Sequence, residues 1–92
     1  DGKTPLIWAC EKGYETMVKL LIGNGADVNK ADKDDNTPLI WACWNGNESI
    51  MKLLIEKGAD INKENKDGDT PLIKANSKGN ETIVELLIKN GA

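Results

Sequence analysis

The side chains best able to do chemistry in this sequence are closely spaced acids and amides. Asp32, Asp34 and Asn36 have the spacing of the first three ligands of a calcium-binding loop. Such a loop needs glycine at its sixth position and glutamate at its twelfth, where this chain has Thr37 and Cys43. The sequence therefore predicts no metal site, and we interpret these acids as solvated turn residues. The same interpretation covers the cluster of Asn65, Asp67 and Asp69.

Catalysis is not predicted, because the other groups that enzymes use are missing. The 92-residue chain contains no His, which excludes His-based triads, zinc ligation by His and imidazole acid–base chemistry. The carboxylates are accompanied by no activated nucleophile, phosphate-binding loop or cofactor motif. We therefore expect a non-catalytic protein that binds neither a metal nor a cofactor.

Charge and hydropathy argue against two further classes of partner. All 12 basic residues are Lys, they are scattered from Lys3 to Lys89, and 15 acids give a formal net charge of -3. Such a chain has no basic stripe that could neutralise a row of phosphates. Its apolar runs are far shorter than the roughly 20 residues that span a bilayer. We expect no nucleic-acid partner and no membrane segment.

A repeat of 33 residues organises the whole chain. Thr4-Pro5-Leu6-Ile7 recurs as Thr37-Pro38-Leu39-Ile40 and as Thr70-Pro71-Leu72-Ile73. Other residues keep the same register, including a Leu-Leu-Ile segment at residues 20–22, 53–55 and 86–88. We therefore divide the chain into repeats at residues 1–33, 34–66 and 67–92, the last of them truncated. We expect one continuous array, excised from a longer one.

Each repeat is predicted to contain two helices and a turn. Thr4 suits a helix N-cap and Pro5 the first helical position, so a short helix begins there and ends at Gly13. A second helix begins near Glu15, carries apolar residues at helical spacing and stops at Gly25. The Asn-, Asp- and Lys-rich residues 27–36 follow as a projecting turn or hairpin.

This pattern resembles the ankyrin repeat family, whose signature is Thr-Pro-Leu-His-x-Ala at a period of 33 residues. The resemblance implies an all-α repeat fold, a solenoid of stacked helix–turn–helix units with projecting β-turn or hairpin loops. It also implies a protein–protein interaction module that binds through a concave surface of first helices and turns. The chain departs from the family by placing Ile7, Ile40 and Ile73 where His is usual. That change removes polar cross-bracing, and we expect apolar burial of each Ile instead.

Two asparagines carry a further implication of the resemblance. Asn29 and Asn62 lie in a Leu-to-Asn pattern similar to the one that intracellular asparaginyl hydroxylases modify in ankyrin repeats. An alternative is that these side chains simply brace the turn after the second helix. Asn47 and Asn80 match the glycosylation triplet, but each precedes an acidic helical turn, so we predict that they are N-caps.

The two cysteines occupy the same position in consecutive repeats. Stacked helices would hold Cys10 and Cys43 roughly 8 to 10 Å apart, whereas a disulfide needs Cα atoms within about 7 Å. We predict two small buried thiols that stay unpaired. Free thiols suit a reducing compartment, so we expect a cytoplasmic or nuclear protein.

Function is expected where the repeats differ on the exposed side of the first helix and on the turns. Leu6, Ala9 and Cys10 form the buried stripe of the first helix. The predicted partner-binding residues are Trp8, Glu11, Lys12, Asn36, Trp41, Trp44, Asn45, Asp69, Lys74, Ser77 and Lys78.

The three tryptophans of the chain are all in this set. Trp41 and Trp44 should share a helix face, with Trp8 one repeat away, which predicts a short aromatic ridge. Trp8 and Trp41 also suit packing under neighbouring residues, so packing and binding stay open for them. Trp44 corresponds to Glu11 and Ser77, where stacking demands no aromatic residue, and is expected to contact a partner.

The expected partners are an unidentified protein and the flanking ankyrin repeats of the parent protein. We expect an elongated monomer whose uncapped ends could stack on one another. An architectural spacer within a longer array, or a hydroxylase substrate, is the alternative function.

Overall fold

The computed structural model describes residues 2–92, which form three pairs of helices. No strand occurs in this part of the chain. The all-α prediction is confirmed. The helices are α1 (Pro5–Lys12), α2 (Glu15–Gly23), α3 (Pro38–Asn45), α4 (Glu48–Glu56), α5 (Pro71–Ser77) and α6 (Glu81–Lys89).

The first helix of each pair begins at the threonine of the repeated motif. The hydroxyl oxygens of Thr4, Thr37 and Thr70 accept the backbone N–H three residues later at 3.1, 3.2 and 3.2 Å. A proline occupies the next position of each helix, where its missing N–H leaves no bond unmade. α1 ends at Gly13, whose φ of 75° suits glycine because it has no Cβ.

Two of the three second helices, α4 and α6, begin at the predicted asparagine caps. Asn47 Oδ1 accepts the N–H of Ile50 at 3.0 Å, and Asn80 Oδ1 accepts that of Ile83 at 3.1 Å. Both asparagines of the glycosylation triplets are therefore helix caps, as predicted. Tyr14 stands in the corresponding place before α2 and makes no side-chain cap.

The helices stack in one direction along the chain. α1 packs against α2 and α3, α3 against α4 and α5, α5 against α6, and α2 against α4. Three helix pairs are too few to give an elongated molecule. The described chain measures 30 × 25 × 20 Å, so the expected elongation is wrong at this length.

Apolar burial differs between the two ends and the middle of the stack. Ile7 and Ile40 are buried as expected, but Ile73 is 46% exposed, so the prediction is wrong for the third repeat. The reason is that α3 and α5 cover the sides of α1 and α3, whereas no described helix lies beyond α5. At the other end, Met17 and Leu20 of α2 are also exposed.

Cys10 and Cys43 lie fully buried between the helix pairs as free thiols. This confirms the predicted burial and lack of pairing. Burial raises the pKa of each thiol to about 12, because the thiolate would lose its hydration. No helix in residues 2–92 has the length and hydrophobicity needed to cross a membrane.

Candidate functional site

The turn between the first two repeats is organised by a buried acid. Asp32 is only 7% exposed. Its Oδ1 accepts the backbone N–H groups of Asp34 and Asn36, each at 3.0 Å, and its Oδ2 accepts Trp41 Nε1–H at 3.1 Å. The prediction of a solvated carboxylate is therefore wrong for Asp32, because three donors compensate for its burial.

The next turn uses an amide for the same purpose. Asn65 is 8% exposed, and its Oδ1 accepts the backbone N–H groups of Asp67 and Asp69, each at 2.9 Å. Its Nδ2 donates to Asn36 Oδ1 at 2.8 Å, which joins one turn to the next. The solvated interpretation is wrong for Asn65 as well. These bonds brace neighbouring turns without the histidine that is usual in the family.

Trp41 is held in this junction. Its ring is half-buried, its N–H is engaged by Asp32, and Lys3 Nζ lies 4.6 Å from its ring centroid. Lys3 also forms a salt bridge of 2.6 Å with Glu11. Of the two roles that the sequence left open for Trp41, these contacts favour packing between repeats.

Trp44 has a different environment one helical turn later. Its ring is 42% exposed. Lys78 Nζ lies 4.2 Å and Lys74 Nζ 5.0 Å from the ring centroid, within the range of cation–π attraction. Lys74 is itself held by Asp69 at 3.3 Å. The result is an exposed aromatic ring with two ammonium groups against it.

Trp41 and Trp44 open onto one cleft between the second and third repeats. The cleft has a volume of about 240 Å³ and is lined by Asn36, Ile40, Trp41, Trp44 and Lys74. Four of these residues are among those predicted to bind a partner. Ile40 is not, because its place in the Thr-Pro-Leu-Ile motif predicts a wholly internal residue and no sequence signal distinguishes it from Ile7.

Trp8 does not line this cleft. Its ring is 45% exposed and meets Tyr14 edge to face at 5.2 Å between centroids. The ridge of three tryptophans stays a prediction. Trp41 and Trp44 share a cleft, while Trp8 belongs to an aromatic pair in the first repeat.

The remaining predicted residues are spread over the same side of the first helices. Asn45 Nδ2 donates to the carbonyl of Glu11 at 3.2 Å and so links α3 to α1. Lys12 and Ser77 are exposed. Glu11 pairs with Lys3 and does not line the Trp44 cleft.

Charge is distributed unequally between the two sets of helices. In the first helices with their C-cap residues, Lys12, Lys74 and Lys78 outnumber Glu11, a net charge of +2. The second helices and their caps carry five Glu and four Lys, a net charge of -1. The first helices are thus more positive than the second, but the turns at residues 25–37 and 58–70 of the predicted binding side each carry four acids and two Lys.

Asn29 and Asn62 connect the ends of consecutive second helices. Asn29 Oδ1 accepts the N–H of Asp60 at 2.7 Å, and its Nδ2 donates to the carbonyl of Gly58 at 3.2 Å. Asn62 Nδ2 reaches the carbonyl of Gly91 at 3.5 Å. Both residues remain exposed, and their side chains brace the following repeat.

The described residues offer no set of ligands for a metal ion. No three His, Cys, Asp or Glu side chains within residues 2–92 are grouped to hold one. Asp32, the first of the acids that resembled calcium ligands, accepts backbone N–H groups and the Trp41 indole N–H instead.

Comparisons with known proteins agree with the stacked helix pairs. A family model described as ankyrin repeats (3 copies) matches residues 1–65, and one described as ankyrin repeats (many copies) matches residues 48–88. A stretch of 28 residues is 61% identical to an acyl-CoA-binding domain-containing protein 6 homolog from Dictyostelium discoideum. That stretch covers 30% of this chain and 10% of that protein. The family matches span most of the sequence, and the chain belongs to the ankyrin repeat family.

Proposed function

We propose that this chain is a non-catalytic binding module whose first helices and turns form a concave surface for a protein partner, centred on Trp44. Ankyrin repeats generally mediate protein–protein interactions, and the family is generally non-enzymatic. The observation that carries the proposal is the exposure of Trp44 at a cleft between two repeats.

Trp44 supports a contact role because stacking does not require it. The corresponding residues are Glu11 and Ser77, and both repeats fold into the same helix pair without an aromatic ring there. Buried tryptophans are among the strongest contributors to protein interfaces. Two lysine ammonium groups lie against the exposed ring, and a ring restrained in this way loses less entropy on binding.

The proposal also specifies the repeats, the oligomeric state and the residues around Trp44. The repeats divide at residues 1–33, 34–66 and 67–92, and the module acts as an intracellular monomer. Lys12, Asn45, Ser77 and the turn residues Asn36 and Asp69 form a polar rim around the central contact. The rim contributes complementarity more than affinity.

A second candidate, an architectural segment of a longer array, is favoured by the exposed apolar ends. Met17 and Leu20 at one end and Ile73 and Ile88 at the other are each at least 42% exposed. Inside the array, the counterparts of Met17 and Ile73 are buried (Ile50 and Ile40), and those of Leu20 and Ile88 are partly buried (Leu53 and Ile55). Further ankyrin repeats of a parent protein would cover them in the same way.

The first test separates binding from stacking with two tryptophan variants. Proteins that bind the wild-type chain are captured from the cell of origin and purified. The Kd of each is then measured for wild type, Trp44→Ala and Trp8→Ala. We expect Trp44→Ala to weaken binding at least tenfold, about 1.4 kcal/mol. Its free energy of unfolding should stay within about 0.5 kcal/mol of wild type.

Trp8→Ala is the matched control, because Trp8 is equally exposed but lies outside the cleft. It should weaken binding less than Trp44→Ala does, because its ring does not line the cleft. If Trp44→Ala unfolds the stack while the folded fraction binds normally, Trp44 is a packing residue. The binding surface would then have to be placed at the turns around Asn36 and Asp69.

A further inference from the structure

The Trp44 cleft has two chemically distinct halves, which together describe a ligand. We propose that it binds a linear peptide segment of the partner in which an apolar side chain stands beside an Asp or Glu. This inference rests on the proposed function and specifies the chemistry of the partner.

The apolar half is formed by Ile40 and the two indoles. Ile40 is 2% exposed and lies at the base of the cleft, while Trp41 is fixed by its bond to Asp32. The volume of about 240 Å³ suits the insertion of one large side chain. An aliphatic or aromatic side chain inserted here would remove the exposed Trp44 ring from water.

The charged half is formed by Lys74 and Lys78. Both ammonium groups lie within 5.0 Å of the centroid of the Trp44 ring, so a carboxylate at its rim would be close to both. Within residues 2–92, Lys78 forms no salt bridge. Its ammonium group lies against the Trp44 ring, so its charge is not neutralised by a carboxylate. Lys74 already pairs with Asp69, which holds it in position.

The wider charge pattern favours the same orientation of an acidic segment. The first helices with their caps carry +2 and the second helices -1, so an acidic side chain is attracted to Lys74 of α5 and its C-cap residue Lys78. The turns at residues 25–37 and 58–70 carry -2 each, which opposes an acidic ligand there. The attraction is therefore confined to the ammonium groups of Lys74 and Lys78 beside Trp44.

The test uses a display library of random dodecapeptides selected on the immobilised chain, followed by Kd measurements on synthetic copies of the enriched peptides. We expect enrichment of Asp or Glu adjacent to Leu, Ile, Met or Phe. Binding should weaken at least tenfold in a Lys74→Gln/Lys78→Gln variant and weaken as NaCl rises from 0.05 to about 0.5 M. Replacing the peptide's Asp or Glu by its amide should have a similar effect.

The matched control is Lys52→Gln/Lys57→Gln, which makes the same charge change on α4 and its C-cap. It should leave peptide binding unchanged, and thermal unfolding should show that both double variants remain folded.

The outcomes separate this inference from the proposed function. Enriched peptides that lack acids, bind the Lys74→Gln/Lys78→Gln variant normally and fail on Trp44→Ala would overturn the acidic ligand but retain the binding surface. Peptides that bind Trp44→Ala as well as wild type would overturn both. A library with no enrichment would overturn the linear peptide, and the purified partner would then decide the proposed function.

Discussion

The first and third repeats share one sequence pattern but bury it to different extents. Ile7 is fully buried and Ile73 is 46% exposed, although both follow the same Thr-Pro-Leu motif. At the next inward position, Cys10 is buried, whereas Asn76 is exposed. The difference arises because α3 covers α1, while no described helix covers the far side of α5.

Whether an apolar side chain is buried in this fold therefore depends on the neighbouring repeat as well as on its own. The other end of the array gives the reverse case, since Met17 is exposed whereas its counterparts Ile50 and Ile83 are fully buried. A residue near one end can obey the family pattern and still contribute little to stability. Equivalent positions in neighbouring repeats can be compared directly to test this conclusion.

The largest expected effect comes from shortening the two isoleucines. Ile7→Ala should destabilise the chain by about 2–5 kcal/mol, because it leaves a cavity between α1 and α3. Ile73→Ala removes the same atoms from a half-solvated site and should cost less than about 1 kcal/mol. Denaturant unfolding followed by circular dichroism measures both. Equal costs would mean that another surface covers Ile73 in solution.

The buried thiols predict a loss of stability at high pH. Their pKa is raised to about 12 in the folded chain, so the unfolded thiols release protons first as pH rises above about 9. Stability from these groups is complete below that pH and is lost above it. Between pH 8 and 10 we expect a loss of about 1.4 kcal/mol per thiol.

The control for this effect is a Cys10→Ala/Cys43→Ala variant measured over the same pH range, which accounts for the titration of Lys and Tyr. Its stability should fall by about 2.7 kcal/mol less than that of wild type, as both thiols contribute. If the two pH profiles run parallel, the thiols are accessible to water in the folded chain.

The fold could be predicted from sequence because its determinants are local and repeated. Thr4 and Asn47 cap helices through their own backbone neighbours, so the residue type and its spacing are sufficient. The candidate site was harder to predict. Trp41 and Trp44 lie three residues apart on one helix, and the sequence does not show which of them is fixed by packing. The hydrogen bond from Trp41 to Asp32 in the preceding turn shows that it is Trp41. The sequence predicts a solvated Asp32, because it does not show that the turn folds back and brings the Trp41 indole to this carboxylate.

A loss of stability of intermediate size is expected from a change at the two turn junctions. Asp32 and Asn65 hold equivalent positions, but Asp32 accepts the indole N–H of Trp41 and Asn65 donates to Asn36. Asp32→Asn should cost about 1–3 kcal/mol, because an amide N–H₂ would then face the indole N–H. At the second junction, the amide of Asn65 finds an acceptor in Asn36. The residue that corresponds to Asn36 at the first junction is Lys3, whose ammonium cannot accept a hydrogen bond from the new amide.

A double-mutant cycle with Trp41→Phe isolates this bond. Phe lacks the donor, so Asp32→Asn should cost less in the Trp41→Phe chain than in wild type. A coupling energy near zero would mean that the backbone bonds from Asp34 and Asn36 account for the role of Asp32.

The smallest expected effect is a gain in stability at the end of α2. Gly23 is the last residue of that helix, where α4 and α6 end in Glu56 and Lys89. A Cβ at Gly23 would meet nothing within 4 Å, and its φ is not positive. Gly23→Ala should therefore stabilise the chain by about 0.5–1 kcal/mol, by reducing the entropy of the unfolded state and raising helix propensity.

Gly25 is the matched position for this last test, because a Cβ there also meets nothing within 4 Å and only the backbone differs. Its φ of 93° is strained for any residue with a side chain. Gly25→Ala should lower the free energy of unfolding while Gly23→Ala raises it. Two changes of the same sign would show that open space, and not backbone conformation, decides the effect of a methyl group at this end of the helix.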